Sequence, residues 1–266
     1  MKTRVKNKFT VKGNERLKLE VGKTSAIAID VKPGADAELF VRRDVGGSAG
    51  FSLRISIGKK SKVKCAIMNF GKAKNAESRL EANIGKESAL TLLHFDCAKA
   101  NCEFSANILQ REKSALDYIG VGLGQENFRK NETVANVLEE RQGVSNLLFK
   151  YVAKGKCRIN SSGKAVIAKK AGGSSTYLLS KGLLLSDGAA VKMKPILEVN
   201  NAEVTAGHGA STSPISDDEM FYLQSRGIDE KESAMMITDG FVKSAYEKKG
   251  FSQNTILEIE GELHEY

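Results

Sequence analysis

Tryptophan is absent from these 266 residues; there are 3 Pro, 4 Cys and 3 His, and only 6% are aromatic. Each shortage excludes something. Four cysteines are too few to staple a secreted scaffold, so a reducing compartment is expected. Three histidines (His94, His208, His264) leave few candidates for a His-based catalytic centre. No apolar run approaches the ~20 residues of a membrane span; Gly182-Leu183-Leu184-Leu185 is typical. The basic start is followed by no apolar h-region, so no secretory signal is read and a cytoplasmic location is expected. Nucleotide-binding loop, zincin motif and nucleophile elbow are all missing; the nearest candidate, Gly155 to Gly163-Lys164, has the wrong spacing for a P-loop.

What is present is ordinary for a folded chain: 41% hydrophobic and 27% charged residues, with a net charge of +9. The 25 glycines and few large side chains suit a thin, repetitive β core. The first 25 residues read as a basic segment, with Lys2, Arg4, Lys6 and Lys8 at alternate positions, the period of a strand with one wet face or else a basic tail. From residue 26 to 213 short alternating strands are broken by Gly, Asn, Ser or Asp, as in Ala26 to Val31, Phe51 to Ile57 and Leu80 to Ile84. A turn followed by a small residue recurs at Ala37, Ser61, Ser88, Ser114, Ala165 and Ala190, a period of about 25 residues. Such a unit cannot bury its own apolar face but can do so when stacked, which is solenoid logic. A sandwich would need hairpins, and no Asn-Gly or Asp-Gly turn joins matched strands. The expected fold is an all-β parallel β-helix.

The pattern changes after Pro214. Ser216-Asp-Asp-Glu219 reads as a capping box opening a helix from Asp217 to about Ser225, which Gly227 ends. A second helix is expected from Asp229 to about Lys248, with Ala234, Ile237, Phe241 and Ala245 on one face and Met235, Val242 and Tyr246 on another. A helix apolar on two sides is deeply packed or gives one face to a partner. Residues 214–250 thus form a helical region. The tail, 251–266, alternates at Ile256-Leu-Glu-Ile-Glu and reads as a last strand.

Few residues point to chemistry by type and spacing alone. His94-x-x-Cys97-x4-Cys102 has the look of a metal half-site, but aligning Ser61 with Ser88 sets Cys65 opposite Leu92 and Cys97 opposite Phe70. The cysteines form no column, so buried small residues are the better reading. His208 between Gly207 and Gly209 is sterically open, with a ring free to bind a metal or a partner; a turn histidine is the bland alternative.

The stretch from Pro195 to Ile228 closely resembles the C-terminal signature of the SufB/SufD family. The carrying motifs are Pro195-Ile-Leu-Glu-Val199, Gly207-His208-Gly209-Ala210, Phe221-Tyr222-Leu-Gln-Ser-Arg226-Gly227-Ile228 and, further on, Gly240-Phe241. Upstream, Ser180-Lys-Gly-Leu-Leu-Leu-Ser186 resembles the family's L-L-L-S segment, and Asn160-Ser-Ser-Gly-Lys-Ala sits where the preceding turn is expected. The match is specific over about residues 145 to 245; earlier, only the repeat supports it.

The resemblance implies a right-handed parallel β-helix with C-terminal helices, acting without catalysis of its own as a scaffold for iron–sulfur cluster assembly. It implies a SufC-type ABC ATPase docked on the helical region, through Phe221, Tyr222, Arg226, Ile228 and Phe241, and pairing with a SufB-like paralogue or with itself. His208 would be a ligand of a transient iron–sulfur cluster at the subunit interface. Where SufB-type chains carry a cysteine, six residues before the motif proline, this chain has Ala189; where they carry a glutamate beside the His position, it has glycine. The chain therefore looks SufD-like. Two other classes stay open: a carbohydrate-active β-helix, which needs clustered carboxylates on one face, and a basic nucleic-acid-binding solenoid.

Overall fold

The computed structural model describes residues 7–22, 25–46 and 50–263. The chain winds a right-handed parallel β-helix with two faces. One face, the odd sheet, stacks β1 (Asn7–Val11), β3 (Ser25–Val31), β5 (Gly50–Ile57), β7 (Lys72–Ile84), β9 (Lys99–Gln110), β11 (Arg129–Leu138), β13 (Arg158–Ile167) and β15 (Ala190–Val199). The other, the even sheet, stacks β2 (Asn14–Val21), β4 (Asp36–Asp44), β6 (Lys62–Phe70), β8 (Ala89–Asp96), β10 (Ala115–Gly124), β12 (Val144–Ala153), β14 (Ser175–Leu184) and β16 (Thr205–Pro214). Strand pairing starts at Asn7, which pairs in parallel with Ile27. The solenoid therefore begins well before the expected boundary at residue 26, and Lys8 belongs to its first coil. Lys2, Arg4 and Lys6 lie outside the described residues.

The serine column of the repeat is real. Ser61, Ser88 and Ser114 are buried at the turn preceding β6, β8 and β10 and satisfy turn backbone groups: Ser88 Oγ accepts from Ser61 N (3.0 Å) and donates to Gly58 O (2.7 Å). A buried backbone N–H left unpaired would be costly, which explains the small polar residue there. The column continues through Ser174, whose Oγ accepts from Gly143 N at 3.0 Å. Upstream of Ser61 the equivalent residue is Ala35, whose carbonyl pairs with Lys62 N, and not Ala37. Ala165 and Ala190 lie in the odd sheet and are not equivalent to each other, since Ala190 pairs with Arg158. The coil is longer toward the C-terminal end: paired residues are 27 apart at Ser61 and Ser88 and 31 apart at Ser145 and Thr176. Asn160-Ser-Ser-Gly-Lys-Ala is not a turn but the middle of β13; a Cβ on Gly163 would lie 2.7 Å from Phe149 Cε2. That glycine makes room for an interior ring.

The two faces differ. The odd sheet alternates buried and exposed, with solvent outside, as in β7. The even sheet is buried on both sides toward its strand ends, as in β8 and β10, and such strands read as continuous apolar runs. Its cover is the C-terminal region, through α2 (Glu230–Lys243), a 3-10 turn at Glu247–Lys249 and α3 (Gln253–Leu263), while α1 (Asp217–Ser225) contacts α2 and buries no residue. Val242, Ala245, Tyr246, Phe251, Ile259 and Leu263 pack against Phe40, Met68, Leu93, Phe95 and Val121 in one buried layer. Each such aliphatic or aromatic side chain contributes roughly 1.5–3 kcal/mol on burial.

The tail is thus a helix and not a last strand. Thr255, Ile259 and Leu263 are its buried residues, one helical turn apart. It runs back over the first coils and is tied there: Glu38 accepts from Ser252 N (2.9 Å), Ser252 Oγ (2.6 Å) and Thr255 Oγ1 (2.6 Å), and Arg42 pairs with Glu262 at 2.8 Å. The second helix ends at Lys243, short of the expected Lys248, because the chain turns at Ser244 to Tyr246 to follow the sheet. Ser216 stands at the N-cap of α1 but makes no cap bond, whereas Asp229 caps α2 through Glu232 N at 2.8 Å.

Candidate functional site

His208 lies in the middle of β16, not in a turn. Among the described residues, β15 and β16 are the last strands of their sheets and pair on one edge only. In a parallel pair, residues in register share a face. His208 is in register with the buried Leu178, so it points inward at the end of the solenoid, where it is exposed because no further coil stacks on it. Across from it, Val191, Met193 and Leu197 of β15 continue inward columns that one coil earlier hold Ile159, Ser161 and Ala165 at 1%, 4% and 0% exposure. The last coil leaves them only partly buried against the core. The open end is thus an apolar rim with one imidazole in it.

The glycines beside His208 serve a purpose other than unusual backbone angles. Both have ordinary extended strand geometry, with no positive φ. Gly207 makes space instead, whereas a Cβ on Gly209 would meet only ordinary contacts. A Cβ on Gly207 would stand 3.1 Å from Tyr177 Cδ2, and one on Gly209 would stand 3.7 Å from Tyr177 Oη and 3.5 Å from Leu179 Cδ1. The Tyr177 ring therefore lies along the outer surface of Gly207, and its hydroxyl reaches toward Gly209.

Ala189 is buried in the turn before β15, stacked on Cys157, whose carbonyl accepts from Ala190 N at 3.0 Å. Burial pushes the Cys157 thiol up to about 11. Among the described residues no group of three or more His, Cys, Asp or Glu side chains is placed to hold a metal ion. His208 by itself supplies one ligand, and a cluster needs several.

Of the residues expected to dock an ATPase, Phe221 and Tyr222 are 73% and 58% exposed on α1, which buries no residue. Arg226 is exposed beside Tyr222, its guanidinium 5.3 Å from the ring centroid, while Ile228 is half-buried. Phe241 is different: it packs into the layer under α2, and Lys150 Nζ sits 4.7 Å from its ring while donating to its carbonyl at 2.6 Å. Met235 and Met236, 50% and 49% exposed, extend the apolar surface on α2.

Sequence reasoning missed an interior polar cluster. Lys130 Nζ pairs with Asp96 Oδ1 at 2.6 Å and donates to Ala98 O at 2.9 Å, both side chains being buried. Burial alone would discharge both partners; their mutual attraction prevails, holding Asp96 below and Lys130 above the usual range. Glu132 accepts from Tyr118, from Tyr151 (2.8 Å) and lies 3.3 Å from His94 Nδ1. His94 stacks on Phe104 at 3.6 Å and meets Asn69 at 3.2 Å. Cys97 donates to Asn69 O, and Cys102 to Asp96. Each half-site residue thus has another partner. On the outside of the odd sheet, Glu77 and Glu81 line a shallow groove but are paired with Arg79 (2.6 Å) and Arg54 (2.8 Å).

Comparison with known proteins agrees with this architecture. A chloroplastic iron–sulfur cluster assembly SufBD family protein of Arabidopsis thaliana is 26% identical over 147 residues, 55% of this chain and 26% of its own. A SufBD family protein of Synechocystis is 26% identical over 160 residues, 59% of this chain and 35% of its own. One from Mycobacterium tuberculosis is 34% identical over 99 residues, 37% of this chain and 12% of its own. The chain thus spans at most 35% of the length of any of these three relatives. Residues 12–241, nearly the whole solenoid with α1 and most of α2, match the family described as SUF system FeS cluster assembly, SufBD core domain, and the chain belongs to that family.

Proposed function

We propose that this protein is a non-enzymatic scaffold subunit for iron–sulfur cluster assembly, with the nascent cluster as its cargo, working with a SufC-type ABC ATPase. The observation that carries the reading is the open end of the solenoid. Unpaired edges of β15 and β16 and a half-covered apolar rim are what a strand-adding partner completes. His208 faces into that rim. A SufB-like paralogue supplies the further ligands across the interface, as Ala189 stands at the expected cysteine position; a second copy of this chain is the homodimer alternative.

The ATPase dock is assigned to the α1–α2 surface. Phe221, Tyr222, Met235 and Met236 are large and exposed together with Arg226, a composition typical of interface anchors. Ile228 and Phe241 support that surface from below. Phe221→Asp and Tyr222→Asp are expected to reduce co-elution with the organism's own ABC ATPase by about tenfold or more, with unchanged melting temperature. Full retention of the complex in both variants would overturn this assignment.

A further inference from the structure

The edge strand that carries His208 is weak by composition. Thr205-Ala-Gly-His-Gly-Ala places two glycines inside a strand with a neighbour on one side only, and each glycine weakens the strand relative to alanine. An aromatic side chain laid over an edge glycine from the next strand recovers packing that the glycine lacks. Tyr177 is in register with Gly207 on the neighbouring β14. Its Cδ2 lies 3.1 Å from the place a Gly207 Cβ would take, and its hydroxyl reaches 3.7 Å from that of Gly209. One side chain thereby reaches the residue on each side of His208, on the face opposite the imidazole, with its ring over Gly207 and its hydroxyl toward Gly209. It does so while 48% exposed, so its place is not set by burial in the core.

We propose that Tyr177 is a positioning residue for His208: its ring braces Gly207 from outside, its hydroxyl reaches toward Gly209, and together they fix the edge strand so that the imidazole is presented inward at the open end. This deepens the reading of His208 as a cluster ligand and rests on it for its purpose, though the bracing itself is a property of the chain alone. A methyl group at 207 would press on the ring at 3.1 Å, so alanine there displaces the ring by a few tenths of an ångström.

The test uses the full chain with labelled histidine and backbone. Amide exchange at residues 207–209 and the His208 imidazole signal are compared in wild type, Tyr177→Ala, Tyr177→Phe and Gly207→Ala. Tyr177→Ala is expected to speed exchange at these amides by about tenfold and to shift or broaden the His208 signal, with the His94 signal and β8 to β12 unchanged. Tyr177→Phe, which keeps the ring over Gly207 but loses the hydroxyl that reaches Gly209, restores protection at Gly207 and the His208 signal. Gly207→Ala perturbs them in the wild type and no longer does so with Tyr177→Ala. Unchanged exchange in Tyr177→Ala, no rescue by Tyr177→Phe, or loss of protection spread equally over all strands would each overturn the proposal. His208→Ala is measured in parallel for bound iron in the assembled complex. Iron retained in His208→Ala with the Tyr177 effects present defeats the ligand reading and leaves the bracing standing.

Discussion

Lys130 and Glu132 occupy inward positions of β11 beside Val134 and Leu138, all buried. In the sequence they read as ordinary solvated charges, since Arg129-Lys130-Asn131-Glu132 looks polar throughout. The legible signal was their phase: both fall on the same alternate positions as Val134 and Leu138. Removing one partner of a buried pair leaves the other charge uncompensated, so Asp96→Asn is expected to cost about 3–5 kcal/mol in urea unfolding. Lys130→Met should cost as much, and the double variant less than the sum. The buried thiols set the alkaline limit. Burial holds Cys65 and Cys102 up to about 12 and Cys157 up to about 11. The unfolded chain loses these protons first, so stability is complete below the ordinary thiol range and falls as pH rises from there toward 11–12. Lys150 acts oppositely. Burial, then repulsion from Lys181, lowers it to about 8, and this stabilises the fold as pH rises above that value. Melting curves against pH are therefore expected to fall more steeply for Lys150→Met than for wild type between pH 8.5 and 10, a window set by the ordinary thiol and lysine ranges.

At the scale of elements, strand alternation, the serine column and α1 were legible because each reports a local constraint. What failed was what depends on neighbours. Gly163 looked like punctuation, yet it sits in β13 beneath Phe149. Gly120 is the same kind of residue: a Cβ there would lie 2.7 Å from Glu132 Oε1 and 3.1 Å from Phe149 Cδ1. Overpacking of this sort costs typically 1–3 kcal/mol, and Gly120→Ala and Gly163→Ala should show losses of that order in denaturant unfolding. Ile256-Leu-Glu-Ile-Glu alternates like a strand, and only the longer spacing of Thr255, Ile259 and Leu263 marks the helix. The Tyr177 contact was invisible for a similar reason, since the ring and the glycines are about 30 residues apart, one coil of this solenoid.

Across the whole molecule, the C-terminal helices fold back from the last coil to the first and cover the outer face of the even sheet. Burial alone would raise the Glu38 carboxyl, but the Ser252 and Thr255 donors prevail and hold it below the usual carboxylate range. Its contribution to anchoring α3 is full above the ordinary glutamate range and is lost as pH falls below it. Exchange protection of α3 should therefore weaken in acid before that of β8 to β12. The opposite end is left open, with two strand edges, an apolar rim and His208. The candidate site was legible as a motif, and its meaning was not: the motif names His208, but only the register shows that it faces the uncapped end.

The most direct measurement is anaerobic co-purification of this chain with the ABC ATPase of its own organism and, where that genome encodes one, its cysteine-bearing paralogue. Mass, iron and sulfide are determined for wild type and His208→Ala. The expected result is a stable complex that carries iron and sulfide in the wild type and loses most of both in His208→Ala while the complex persists. An intact complex with equal iron and sulfide in both forms would contradict it.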